Sequence, residues 1–277
     1  MPTRSTPTSS PEVAKPVPSA AVTELAHAVL GHGPAFVWGH GLTSSRASED
    51  RLPLLDWSTI TGADRQVVRY DAAGHGETGG PTDPSAYEWR QLATDLLALL
   101  DELGLDRVDV GGASMGCATT LHAAVRTPER FERLVLVIPP TAWDTRSAQA
   151  DQYRGSADLA EQNGKAAWLE AAAEGPRPAL LADLPPTPPA ADISEALLPS
   201  VLRGAAASDL PTPEQIAALE HQALILAWAG DPGHPESTAR RLGELLPNSE
   251  VRVASKLQDL FGWSAAIADF LRQPGGL

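Results

Sequence analysis

Apolar and polar positions along the first half of the chain fall into two alternating textures. Short runs rich in β-branched residues, AFVWG (35–39), QVVRY (66–70), RVDVG (107–111) and RLVLVI (133–138), are separated by stretches of helical periodicity. That alternation predicts a mostly parallel sheet covered by helices on both faces, an α/β architecture. The clearest helix lies in SAYEWRQLATDLLALLDELG, where Trp89, Leu92, Ala93, Leu96, Leu99, Leu100 and Leu103 share one face. A Ser85/Glu88 capping box is predicted to open it and Gly104 to end it. From about 141 to 213 the strand runs stop, and GKAAWLEAAAEG and DISEALLPSVLRG read as helices broken by PRP and PPTPP. The first pattern then resumes, with QALILAWAG (222–230) and EVRVAS as strands, ESTARRLGELL as a helix, and a closing helix to about 272. The expected organisation is therefore a core of 20–140 and 214–277 with a helical cap, 141–213, inserted over the C-terminal edge of the sheet. Open α/β sheets bind ligands at that edge, so the cap is expected to select the substrate.

Composition narrows what this architecture can serve. At 277 residues, 43% hydrophobic and 20% charged, the chain can bury a large core as one elaborated domain or two. A net charge of −14 repels phosphate backbones and anionic lipid, which argues against nucleic acid and membranes as partners and leaves a small-molecule substrate. The single cysteine, Cys117, excludes an internal disulfide framework or a multi-cysteine metal site and fits a reducing, cytoplasmic setting. Residues 1–19 are rich in Pro, Ser and Thr, with no apolar run behind Arg4; they read as a flexible tail, not a signal peptide or anchor. No stretch reaches the roughly 18 apolar residues of a membrane span, and no internal repeat is visible.

The chemistry begins at RVDVGGASMGCATTLHAAV. Here Gly112-Ala113-Ser114-Met115-Gly116 forms G-x-S-x-G between a strand and a helix. A sharp turn in that context lifts a serine hydroxyl above the sheet, and small flanking residues let strand and helix approach. Ser114 is thus the candidate nucleophile, the bland alternative being a glycine-rich turn. Neither Walker A nor Rossmann spacing is present. The amide of Met115, at a helix N-terminus, and that of Leu42, in the loop after FVWGH, are candidate donors to an oxyanion. Asp71, Gly74, His75 and Gly76 in RYDAAGHGET read as a hydrogen-bonded turn.

In the motifs HG, D-x-x-GHG, GASMG and GDPGHP, in that order across about 20–275, the chain resembles the α/β-hydrolase superfamily, in particular its capped esterase, lactonase and C-C hydrolase branch. The resemblance implies an eight-stranded type of sheet, a helical cap after the sixth strand, and a Ser-acid-His triad in that chain order, with no metal or organic cofactor. By position Ser114 matches the nucleophile, Asp231 the acid, and Leu42 and Met115 the oxyanion donors. The departure is the histidine, which the family carries in the loop after the last strand. Here that loop reads SKLQDLFGW, with Lys256 near the expected place and no histidine from 235 to 277.

A serine hydroxyl is a poor nucleophile at pH 7 without an adjacent base. His27, His32, His122 and His221 read as structural or solvated, His75 belongs to its turn, and the resemblance gives His40 a structural role. His234 differs, because GDPGHPE sets it three residues beyond Asp231 at the chemical edge of the sheet. Triads are defined by geometry, not position, so His234 is the candidate base with Asp231 orienting it. Should that span prove too short, Asp144, after the strand that follows the elbow, is the alternative acid. A lysine base needs a depressed pKa, so Lys256 reads as a surface residue. Trp143, Tyr153 and Trp168 fit either a pocket lining or cap packing, and Cys117 a packed position. The expected function is hydrolysis of a small ester or lactone through an acyl-enzyme on Ser114. The rival readings are a non-hydrolytic binding protein with a decayed triad, and a lyase or cyclase acting on a small metabolite.

Overall fold

A computed structural model describes residues 21–51, 54–175, 177–182, 184, 189 and 191–273. The tail expected over 1–19 lies outside them. Seven strands are present among these residues, β1 (His27–Leu30), β2 (Ala35–Gly39), β3 (Gln66–Tyr70), β4 (Val108–Ala113), β5 (Phe131–Val137), β6 (Gln222–Trp228) and β7 (Asn248–Ala254). They form one sheet in the order β1-β3-β2-β4-β5-β6-β7. Only β1 runs antiparallel, against β3. The sheet thus has seven described strands rather than eight, and the helical insert follows the fifth.

The helices are α1 (Arg46–Arg51), α2 (Trp57–Thr61), α3 (Trp89–Glu102), α4 (Met115–Arg126), α5 (Arg146–Ala173), α6 (Leu198–Ala206), α7 (Pro213–Ala217), α8 (Glu236–Leu245), α9 (Leu257–Leu260) and α10 (Trp263–Arg272). Two apolar clusters sandwich the sheet. One contains Val37, Val68, Leu121 and Leu136 with the α3 leucines. The other joins Phe36, Val67, Val135 and Leu226 to Ile267 and Leu271 of α10. Adjacent strand residues serve opposite faces, so β4 and all but the first or second residues of β2, β5 and β6 are buried continuously. At the sheet edge β7 alternates between exposed and half-buried residues.

Two local expectations are corrected. Instead of a Ser85/Glu88 box, Asp83 accepts the Ser85 amide and opens a 3-10 turn, Pro84–Tyr87; α3 starts only at Trp89, with no side-chain cap from Glu88. Proline at the first position of that turn favours the earlier start. The helix expected over 192–204 begins at Leu198, because Ile193 forms a bridge with His75 and the Asp192 carbonyl accepts the Gly76 amide at 2.7 Å. The helix expected from Gly164 is present as the second arm of α5, set off from the first by Gly164 itself, whose φ of 83° breaks the helical path. Glycine tolerates that conformation without the steric cost of a Cβ.

Among the described residues the insert contributes helices and no strand to the sheet. At its start Arg146 is buried with its guanidinium carbon 4.3 Å from the centre of the Trp89 ring and 5.3 Å from that of Tyr153. Trp168 is buried in the first apolar cluster, and Trp143 and Tyr153 pack against it.

Candidate active site

Parallel registry brings the ends of β2, β4, β5 and β6 to one edge. Gly39 pairs with Gly112, Ala113 with Val137, and Val137 with Leu226. Ser114 follows β4 at that edge with φ 52° and ψ −108°, and its carbonyl accepts the Ala118 amide as α4 begins. A non-glycine residue at positive φ is strained. The turn closes tightly because both glycines are bare: a Cβ on Gly112 would collide with the Gly116 backbone, and one on Gly116 with the Gly39 carbonyl. Thr43, Ile138 and Trp143, in neighbouring loops, also have positive φ.

The loop after β6 curls back through Gly230, at φ 77°, so that Asp231 and His234 face the same point. His234 Nδ1 lies 2.8 Å from Asp231 Oδ2, and His234 Nε2 lies 2.8 Å from Ser114 Oγ. A carboxylate can only accept, so Nδ1–H donates to Asp231 and Nε2 is left to accept from the serine hydroxyl. Asp231 also accepts Trp228 Nε1–H on Oδ2 and the Gly233 amide on Oδ1, each at 2.8 Å. Burial alone would raise its pKa, but these bonds and the His234 charge hold it at about 2. The loop is pinned from outside by the Thr141 amide, which donates to the Gly233 carbonyl at 3.1 Å.

On the other side of Ser114 runs the loop after β2. A Cβ on Gly41 would stand 3.6 Å from the Ser114 Cβ, so this backbone lies against the serine. Two buried histidines shape it. His40 donates Nδ1–H to the Gly41 carbonyl at 2.8 Å and accepts the Ala72 amide at 3.0 Å. His75 accepts the Thr43 amide at 3.3 Å and donates to the Ala73 carbonyl at 2.9 Å. Burial pushes both imidazoles down, His75 to about 3 with His40 adding to the effect. They therefore stay neutral and keep the acceptor nitrogens these amides need. Leu42 sits between the two fixed points, and Met115 opens α4, where the first helical amides have no acceptor within the helix.

The other candidates are elsewhere. Asp144 is exposed in the 3-10 turn Trp143–Thr145, and the carboxylate touching His234 is Asp231. His122 bonds to the Asp209 carbonyl and His221 to that of Pro128; His32 pairs with Asp64, and His27 with the Leu25 carbonyl. Asp71 receives Arg46 and the amide of Glu77, holding its turn. The thiol of Cys117 is fully buried, which raises its pKa. Lys256 is exposed, and its amide is taken by Asp259, which caps α9. Replacing Lys256 with alanine is accordingly expected to leave kcat within about twofold of the parent, as for surface changes generally; an ester-hydrolysis assay checks it. Among the described residues no cluster of His, Cys, Asp or Glu is arranged to hold a metal, and no helix is long and apolar enough to cross a membrane.

After the loop in which the resemblance expects histidine, α10 opens on an aromatic residue. Trp263 stacks on Trp228 at 6.1 Å and 23°, and Trp228 stands edge-on to the His234 ring at 6.2 Å and 81°. Neither Trp228 nor Thr141 stands out in the sequence. The one available signal was an indole three residues before Asp231 at a strand end.

The profile described as alpha/beta hydrolase fold matches residues 34–263. The chain is 29% identical over 197 residues to 3-oxoadipate enol-lactonase 2 of Acinetobacter baylyi, spanning 68% of this chain and 69% of that protein. Among solved structures it superimposes on the enol-lactonase from Burkholderia xenovorans LB400 with TM-score 0.72 at 22% identity, covering 92% of this chain and 100% of that one. It also matches a thermophilic esterase from Thermogutta terrifontis with TM-score 0.70 at 20% identity, covering 90% and 93%. At those identities the two structures bear on the fold.

Proposed function

The chain belongs to the alpha/beta hydrolase fold family, and from that premise we propose that it hydrolyses small esters or lactones through an acyl-enzyme on Ser114, with His234 as a relocated base. The observation that carries this reading is the 2.8 Å approach of His234 Nε2 to Ser114 Oγ, within the range for direct proton transfer. The chain is an ester-acting hydrolase. The name of one relative, an enol-lactonase, agrees with that class.

Ser114 Oγ attacks the substrate carbonyl as its proton passes to His234 Nε2. Asp231 holds the imidazole in the tautomer that leaves Nε2 free and stabilises the imidazolium that forms. The amides of Leu42 and Met115 receive the developing oxyanion. The imidazolium then protonates the leaving alkoxide, and a water activated by the same nitrogen releases the acid. For a lactone the alcohol and acid belong to one product. The insert, 141–213, is the cap that shapes the acyl pocket.

A fluorophosphonate probe tests the nucleophile. The expected result is a covalent adduct on Ser114 together with turnover of nitrophenyl acetate. Absence of both from pH 6 to 9 would favour the non-hydrolytic binding protein.

A further inference from the structure

A base three residues from its acid places two demands on one short loop. Asp231 must keep a fixed rotamer, and its pull on the imidazole must not be excessive, because a base held too firmly as imidazolium is not available to take the serine proton. We infer that Trp228 is a positioning residue for the relocated base, setting the orientation of Asp231 and sharing the oxygen that binds His234. This inference rests on the hydrolase reading above.

The geometry is specific to this arrangement. Trp228 is the last residue of β6, paired with Ala254 of β7, so its backbone is fixed by the sheet. Trp228 is 9% exposed, and its ring lies against Trp263 of α10. From there Nε1–H reaches Asp231 Oδ2 at 2.8 Å, and that same oxygen accepts His234 Nδ1–H at 2.8 Å. Two donors on one oxygen divide its charge between them, which weakens the bond each can form. The Gly233 amide on Oδ1 completes the restraint, so the carboxylate cannot rotate without losing a partner. The indole edge against the imidazole then restricts the ring itself.

Other charged groups nearby leave this role to Trp228. From α5 the Tyr153 phenol feels the Asp231 charge, with Arg146 behind it. On α8 Glu236 is paired with Arg240, and on the loop before α9 Lys256 is exposed. None of them bonds to Asp231 Oδ2 among the described contacts.

Trp228→Phe keeps a ring against Trp263 and removes the N–H donor. Asp231 then gives its Oδ2 to His234 alone and favours the imidazolium. The acidic limb of the pH–rate profile for nitrophenyl acetate is expected to move up by about half to one pH unit, the usual size of one hydrogen-bond effect. At the pH of maximum rate kcat is expected to fall about tenfold with KM little changed, because Trp228 acts through Asp231. Trp263→Phe, which keeps the donor, is expected to leave the acidic limb in place. An unmoved limb in Trp228→Phe, or a raised KM with unchanged kcat, would overturn the inference and make Trp228 a pocket wall. Should Trp228→Phe fail to fold, an indole-15N spectrum of the parent and of Asp231→Ala decides. The Trp228 N–H resonance is expected to move upfield in the variant, and an unmoved resonance would overturn the inference. This last measurement needs no turnover, whereas failure of the hydrolase reading would appear separately as an unlabelled Ser114.

Discussion

His234→Ala is expected to lower kcat for nitrophenyl acetate by about 10⁴-fold or more, matching Ser114→Ala, because nucleophile and base act as one unit and removing either removes both. The reason is local. Among the described residues the only ring nitrogen bonded to Ser114 Oγ is His234 Nε2, while His40 and His75 have both nitrogens committed to backbone groups. Without His234 the serine hydroxyl loses its side-chain acceptor among the described residues. Asp231→Asn is expected to cost roughly 10³- to 10⁴-fold, since an amide that donates to Nδ1 selects the wrong tautomer and turns Nε2 into a donor. Steady-state rates on variants with parental circular dichroism measure both effects. A His234→Ala enzyme within tenfold of the parent would remove His234 from the mechanism and reopen the search for a base.

The sheet and the elbow were legible because each rests on local chemistry. Continuous apolar runs mark strands buried on both faces, and Gly112 and Gly116 mark a backbone approach no side chain permits. His234 could be singled out by elimination and by its edge position. Its reach could not, because the curl of the loop depends on contacts remote in sequence: the Thr141 amide on Gly233, the Trp228 indole on Asp231 and the positive φ of Gly230. The errors have the same origin. Asp192 and Ile193 carry a helical pattern, but tertiary pairing with Thr43, His75 and Gly76 uses their backbone groups and delays α6 to Leu198. Likewise Ser85 could cap a helix, but Asp83-Pro84 starts a turn first.

Arg146→Met is expected to destabilise the fold by about 3 kcal/mol. Arg146 is 4% exposed and has no carboxylate partner within ion-pair distance among the described residues. Its charge is met instead by the Ser208 carbonyl at 2.6 Å, the Thr141 hydroxyl at 3.2 Å, the Ala205 carbonyl, and two aromatic faces. Methionine fills much of the volume but leaves the Ser208 carbonyl without its donor, at about 1–3 kcal/mol, while the Ala205 carbonyl keeps the Ser208 amide at 3.2 Å; it also loses cation–π contacts worth about 1–2 kcal/mol. Relief of the buried charge offsets part of this sum. Because Thr141 also holds Gly233, and Gly233 holds Asp231, the variant is expected to lose kcat as well as stability, which separates it from a simple packing defect. Arg146→Lys keeps the charge but has one point of donation where Arg146 has a fork, and is expected to restore less than half of the stability. Urea unfolding followed by tryptophan fluorescence gives the midpoint and slope for each variant. A loss below about 1 kcal/mol in Arg146→Met would mean that the insert is held to the core by its apolar contacts and that the buried guanidinium contributes little to joining them.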